Sequence, residues 1–547
     1  MSRLIAGWMF TALASSALAD TGALSLAPLR DRDWTRDCAA HLLRRAGFGG
    51  TPQEVDRLHA LGIDGAVSYL VDFAQTPYEL APPQIDPELR RLVDPERKAL
   101  SEDERQADRE RRKRLERRTF EEIRGWWVRR LAESPRPFEE RMTLFWHGRF
   151  TSGFREVQNP VFMLEQNQLL RRLALGNYRD LLIGISKDRA MLRYLDNAKN
   201  RKQSPNENFA RELMELFTLG EGNYTETDVR EAARAFTGWT LNDDGFVFRA
   251  ALHDDGVKTV LGRTGPLDGT DVIDAILDRP HCAQHLAGAL VRSFVSPTAH
   301  RRLIDGLAAE IRRQNYELKP VVKTLLRSRA FYDLSYRGQI VKSPVEAVIG
   351  AARTLGVPIA SPFDAQRVMA AMGQELMQPP NVKGWDGGMA WINTATLFER
   401  YNAVGRLIHG GQGDSRILQR LFGDDTKAER SDEEDRRPLL RMRAARRESE
   451  SGDAMQGGMM SAMESVIGKA QPPFDPATWI ESFDLDTPEK LVRFFEAHLL
   501  AKPLSNERRA VLLEYAAAAP TGVAARKAEH ARTLIQLICS TPEFQLN

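Results

Sequence analysis

Apolar residues recur at three- and four-residue spacing along most of this chain, which predicts a mainly α protein. Ala39 to Ala46 forms a short helix stopping at Gly47, and Thr51-Pro52-Gln53-Glu54 starts the next. Thr51 suits the N-cap, Pro52 the first helical position, and Glu54 closes a capping box. Gly47 to Gly50 reads as a helix–helix turn, because no strand precedes it and Pro52 stands where a nucleotide-binding loop needs its third glycine. Asp86 to Glu122 is almost all charge, a solvated helix held by side-chain pairs. It runs into Ile123, Trp126, Trp127 and Leu131, where an apolar face begins. Another helix follows Pro137. Thr225, with Asp228 three residues on, starts a further one ending near Gly238. The period shortens to two only between Thr237 and Gly262. There Asn242 to Gly245 separates Trp239-Thr240-Leu241 from Phe246-Val247-Phe248, and a second turn, His253 to Gly256, precedes Lys258 to Leu261. The expected architecture is a multi-helical body with a small β-hairpin insertion and a helical C-terminal section.

The ends of the chain differ from this body. Arg3, an apolar run from Leu4 to Ala17, and Ala17-Leu18-Ala19 before Asp20 form the pattern of a signal peptide over residues 1–19. No twin arginine precedes the run, so export unfolded, without a preloaded cofactor, is expected. No later segment has the ~18 apolar residues of a membrane span. The expected location is periplasmic or secreted. The body occupies 20–411. Residues 424–475, rich in charge, Gly, Ser and Met, read as a disordered linker, because they bury too little apolar surface to offset the entropy of ordering. Residues 476–547 form the C-terminal section, with apolar spacing at Leu491, Phe494, Phe495, Leu499 and Leu500.

Charged residues make up 28% but balance to +2, so no nucleic-acid partner is expected. Cys38, Cys282 and Cys539 are too few and too far apart for a disulfide framework; they suit small buried positions, with one unassigned pair permitted. No Gly-x-Ser-x-Gly elbow, phosphate-binding loop or Cys-x-x-Cys occurs.

Several stretches together resemble the DUF 1800 family of exported bacterial proteins. They are His41-Leu42-Leu43-Arg44-Arg45-Ala46-Gly47-Phe48-Gly49, Met142 to His147, Asn206 to Gly220, and Ala235 to Trp239. Tyr224-Thr225, His253-Asp254 with Lys258 and Leu261-Gly262, Met372-Gly373-Gln374, and Pro379-Pro380 with Gly384-Trp385 complete the set. The resemblance implies an exported protein without an assigned activity, cofactor or catalytic residue. It also implies a partner, an exported DUF 1501-like protein of the kind often encoded beside such chains, which resembles the alkaline phosphatase and sulfatase superfamily.

Five residues are the tentative catalytic candidates. On a regular helix, Asn208, Arg211, Glu212 and Glu215 share one polar arc opposite Phe209, Leu213, Leu216 and Phe217. Glu207, Arg211 and Glu212 can then hold a ligand or exchange protons, or simply form i,i+4 salt bridges. His253 and Asp254 suit acid–base work, or are ordinary turn residues. Trp146, His147, Trp239 and Trp385 are the binding candidates, aromatic side chains that either line a pocket or plug the core. His281 and His285 lie one turn apart but lack the metalloprotease glutamate, and no metal site is expected. Met455, Met459, Met460 and Met463 are read as filler rather than a copper site. Two functions follow: an envelope binding or accessory protein working with another exported factor, or a hydrolase or lyase acting on an envelope or extracellular polymer.

Overall fold

The computed structural model describes residues 25–91, 100–410, 473–520 and 524–547. The leader expected over 1–19 and nearly all of the expected linker lie outside these. The described chain is mainly helical, with two antiparallel two-stranded sheets. β1 (Trp239–Asn242) pairs with β2 (Gly245–Phe248), Trp239 facing Phe248 and Asn242 facing Gly245. β3 (Lys258–Val260) pairs with β4 (Arg263–Gly265), a strand not anticipated from the pattern.

The helices begin where short-range chemistry places them. Thr51 with Glu54, and Thr225 with Asp228, form the expected capping boxes. Ser101 with Glu104 forms a third and opens one 32-residue helix, Glu102–Glu133. Its first turns stand in solvent, carrying pairs such as Arg109–Glu102 at 2.8 Å. Its last turns bury Ile123, Trp127 and Leu131.

The first helix, Arg36–Gly47, ends one residue later than expected. Phe48, not a glycine, takes the left-handed conformation at φ 58°. Its buried ring lies 5.3 Å from the Arg141 guanidinium, and such packing can hold an aromatic residue where glycine is favoured. The same helix ties distant segments together. His41 Nε2 bonds the Phe331 carbonyl at 3.0 Å, Arg45 Nε donates to that of Phe294 at 3.2 Å, and Arg44 reaches the carbonyl of His498 at 3.3 Å.

Three apolar clusters form the interior. The largest gathers Leu42, Trp146, Phe217, Phe236 and Leu290 from the body. A second surrounds Trp127, Phe162 and Ile349. The third packs the C-terminal section, through Trp479, Phe495 and Ile535, onto Ala352, Leu355, Leu407 and Ile408. The Pro344–Leu355 helix therefore serves two cores, its first turns the second and its last turns the third. Phe474, at the end of the expected linker, is buried in the third, its N–H bonded to Ile408 O at 2.9 Å. All three cysteines are buried and free. Among the described residues no helix is long and apolar enough to cross a membrane.

Candidate functional site

The segment expected as one regular helix over Asn206–Leu219 changes pitch in the middle. Asn208–Glu212 is α-helical and Leu213–Thr218 is a π-helix. Leu219 N–H bonds the Met214 carbonyl five residues back at 2.8 Å, and Thr218 Oγ1 donates to Leu213 O at 2.5 Å. A widened turn frees carbonyls that need other donors. Tyr178 Oη and Arg149 Nη2 both donate to Phe217 O at 2.8 Å, and His285 Nε2 to Leu216 O at 3.0 Å. Burial, then Arg149, draws the His285 imidazole down to about 4, so near neutral pH it is an uncharged donor to that carbonyl. His285 thus has a structural partner, whereas His281 is exposed.

The pitch change divides the polar arc. Arg211 keeps the expected pair with Glu207 at 3.0 Å but does not pair with Glu215. It grips Glu226 with two bonds of 2.7 Å instead. Glu215 accepts from Tyr224 Oη at 3.1 Å. Glu212 stays half-buried, its carboxyl raised by burial and by Glu215 against the opposing pull of Arg211 and Lys383. Burial, then the bond to Glu215, pushes the Tyr224 phenol up to about 12. Tyr194, raised to about 12 by burial and then Glu156, also feels Glu212.

Lys383 arrives on the Pro379–Gly388 loop, which is pinned against the end of the Pro137–Arg149 helix. Val382 O accepts from Thr151 Oγ1 at 2.6 Å. Gly384 must be glycine: its φ is 88°, and a Cβ there would sit 2.5 Å from the Gly148 carbonyl. Trp385, half-buried, packs against Gly148 and lies 5.6 Å from the His147 ring. Three of the distinctive stretches, around His147, Glu212 and Lys383, therefore meet at one place.

The remaining candidates lie elsewhere or point inward. His253 is buried, its Nδ1 2.9 Å from Thr237 O. Asp254 is gripped by Arg234 at 2.8 and 3.1 Å, and that pairing lowers its carboxyl. These two do not join Glu212. Trp146 is fully buried and donates to Ala174 O at 2.9 Å. His147 is buried against Trp127 and drawn down to about 4 by burial alone. Trp239 is in the core, with the Lys187 ammonium 5.1 Å over its ring. Of the four binding candidates only Trp385 reaches the surface. Sequence reasoning missed Tyr178, Tyr194 and Arg234, whose partners lie 39, 18 and 20 residues away, beyond any local pattern.

The site is thus a carboxyl group held toward its neutral form, beside a second carboxylate fixed by a phenol and near one exposed lysine. It can donate and accept hydrogen bonds and attract a cation. Among the described residues no group of three or more His, Cys, Asp or Glu is placed to hold a metal.

Fold and site together define a mainly α protein with a carboxylate face framed by a π-helix. The model of the family described as "Protein of unknown function (DUF1800)" matches residues 41–546, so the chain belongs to that family. No curated protein and no solved structure matches it.

Proposed function

We propose that this chain is an exported protein that binds and assists another exported factor. The face around Glu212, Glu215, Lys383 and Trp385 is the contact surface. One observation carries this reading: the five residues from which a catalytic centre could have been built do not converge. Arg211 is held by Glu207 and Glu226, Asp254 pairs with Arg234, and His253 bonds a backbone carbonyl. Side chains already engaged in such part-buried pairs are held in fixed orientations and are not free to act on a substrate. The partner that the family suggests is the exported DUF 1501-like protein. Removal of residues 1–19 would accompany export to the periplasm or beyond.

A second reading has its own support. Glu212, whose carboxyl burial and Glu215 raise, is the sort of group that a polymer hydrolase or lyase uses as its general acid.

Calorimetric titration of the mature chain with the neighbouring DUF 1501-like protein separates the two. The binding reading expects a complex that Glu212→Lys and Lys383→Glu each weaken at least tenfold while the melting temperature holds. No complex, together with polysaccharide cleavage that Glu212→Gln abolishes, would replace it with the second reading.

A further inference from the structure

A cleft of about 840 Å³ lies between the body and the C-terminal section and shares no residue with the carboxylate face. One wall is a single stripe of the Pro488–Leu499 helix and its exit, where Arg493, Glu496, Ala497 and Leu500 follow helical spacing. The opposite wall is Asp37 with Leu334 and Arg337. Clefts of 300–1,000 Å³ at the junction of two packed units are where small ligands usually bind.

The charges of this cleft do not cancel. Arg337, only 4% exposed, pairs with Asp37, and one of its amino groups lies 3.5 Å from Cys38 Sγ. Arg509 takes Glu496 in two bonds of 2.7 and 2.8 Å, and Leu504 N–H adds a third at 2.8 Å. Both carboxylates are thereby neutralised. Arg493, whose charge also reaches Glu496, and Lys502 make no close ion pair among the described residues, so the four cations of the lining exceed its two carboxylates by two charges. Beside them the lining is apolar: Leu500, Ala501, Pro503, and Leu334, which is 73% exposed. A leucine left in water on a cleft wall forgoes roughly 25 cal/mol for each Å² it could bury.

We propose that this cleft binds a single-chain amphiphile with a carboxylate head, of the fatty-acid type. The carboxylate sits between Arg493 and Lys502, and the chain covers the exposed Leu334 and Pro503. A cation of the same shape would meet the cleft's net positive charge, and a bare anion would leave the apolar wall wet.

Titration calorimetry of decanoate into the mature chain, at fixed ionic strength and below the micellar range, tests this. Decanol, decylammonium and acetate serve as probes of chain and head alone. The expected result is saturable binding of decanoate at one site, at least tenfold tighter than any of the three. Arg493→Gln with Lys502→Gln should weaken it at least tenfold, as should Leu334→Asp. These side chains are exposed or half-buried, and an unchanged melting temperature verifies the fold. Absence of decanoate binding, equal binding of decanol or acetate, or indifference to the Arg493 and Lys502 substitutions would each overturn the proposal.

Discussion

Glu346 sits in the interior with more positive charge around it than it can neutralise. Its carboxylate lies 2.7 Å from Arg141 and 3.8 Å from Arg45, accepts from Asn547 Nδ2 at 3.1 Å, and caps its own helix through Ser343 N–H at 2.8 Å. Burial pushes this carboxyl up, but Arg141, Arg45 and the Ser343 bonds more than offset it and hold it at about 2. A carboxyl depressed in this way adds stability that is complete above its ordinary value near 4.5 and is lost as pH falls toward 2. Denaturant melts should show a steep decline across that window, and Glu346→Gln should flatten it. At pH 7 the same substitution should cost roughly 3–5 kcal/mol, because it strands buried guanidinium groups. A stability change below 1 kcal/mol would mean that Arg45 and Arg141 have other counter-charges.

At the scale of elements the π-helix is the feature that organises the site. Its two freed carbonyls are met by side chains from three other segments, so its shape is a tertiary property. Tyr178→Phe should leave Phe217 O with Arg149 alone and cost about 1 kcal/mol in a chemical melt. It should also shift the Glu212 environment, since that carboxylate rides on the turn just before. No stability loss would show that the wide turn is fixed by packing alone. The same contrast explains what was legible beforehand. The capping boxes at Thr51 and Thr225 and the hairpin at Asn242–Gly245 depend on residues within about four positions, and these were readable. The pitch change at Leu213 was not, because its donors stand 39 to 69 residues away. Nor was Phe48, which joins Gly49 at positive φ where composition favours glycine alone. For the site, Glu212 was a candidate in the sequence, and the structure places it half-buried beside Glu215 and Lys383. Its companions were not: the expected Arg211, His253 and Asp254 have partners of their own, and Lys383 and Tyr194 come from distant loops and helices.

At the scale of the whole molecule, the division at 411 and 476 read from composition is not an energetic boundary. The C-terminal section shares a core with the Pro344–Leu355 and Thr394–His409 helices. Backbone bonds extend the junction: Lys342 N–H to Gln545 O and Asn547 N–H to Ile340 O, both at 2.8 Å. Arg400, buried, donates to Lys342 O at 2.8 Å. The body and its C-terminal section therefore form a packed frame that presents the carboxylate face on one part and the cationic cleft at the seam. The central claim is that the carboxylate face is a contact and not a reaction centre. Hydrogen-exchange mass spectrometry of the mature chain, alone and with the DUF 1501-like protein, tests it most directly. The account predicts slowed exchange confined to peptides covering 208–219 and 381–386. Unchanged exchange there, with protection elsewhere or none at all, would contradict it.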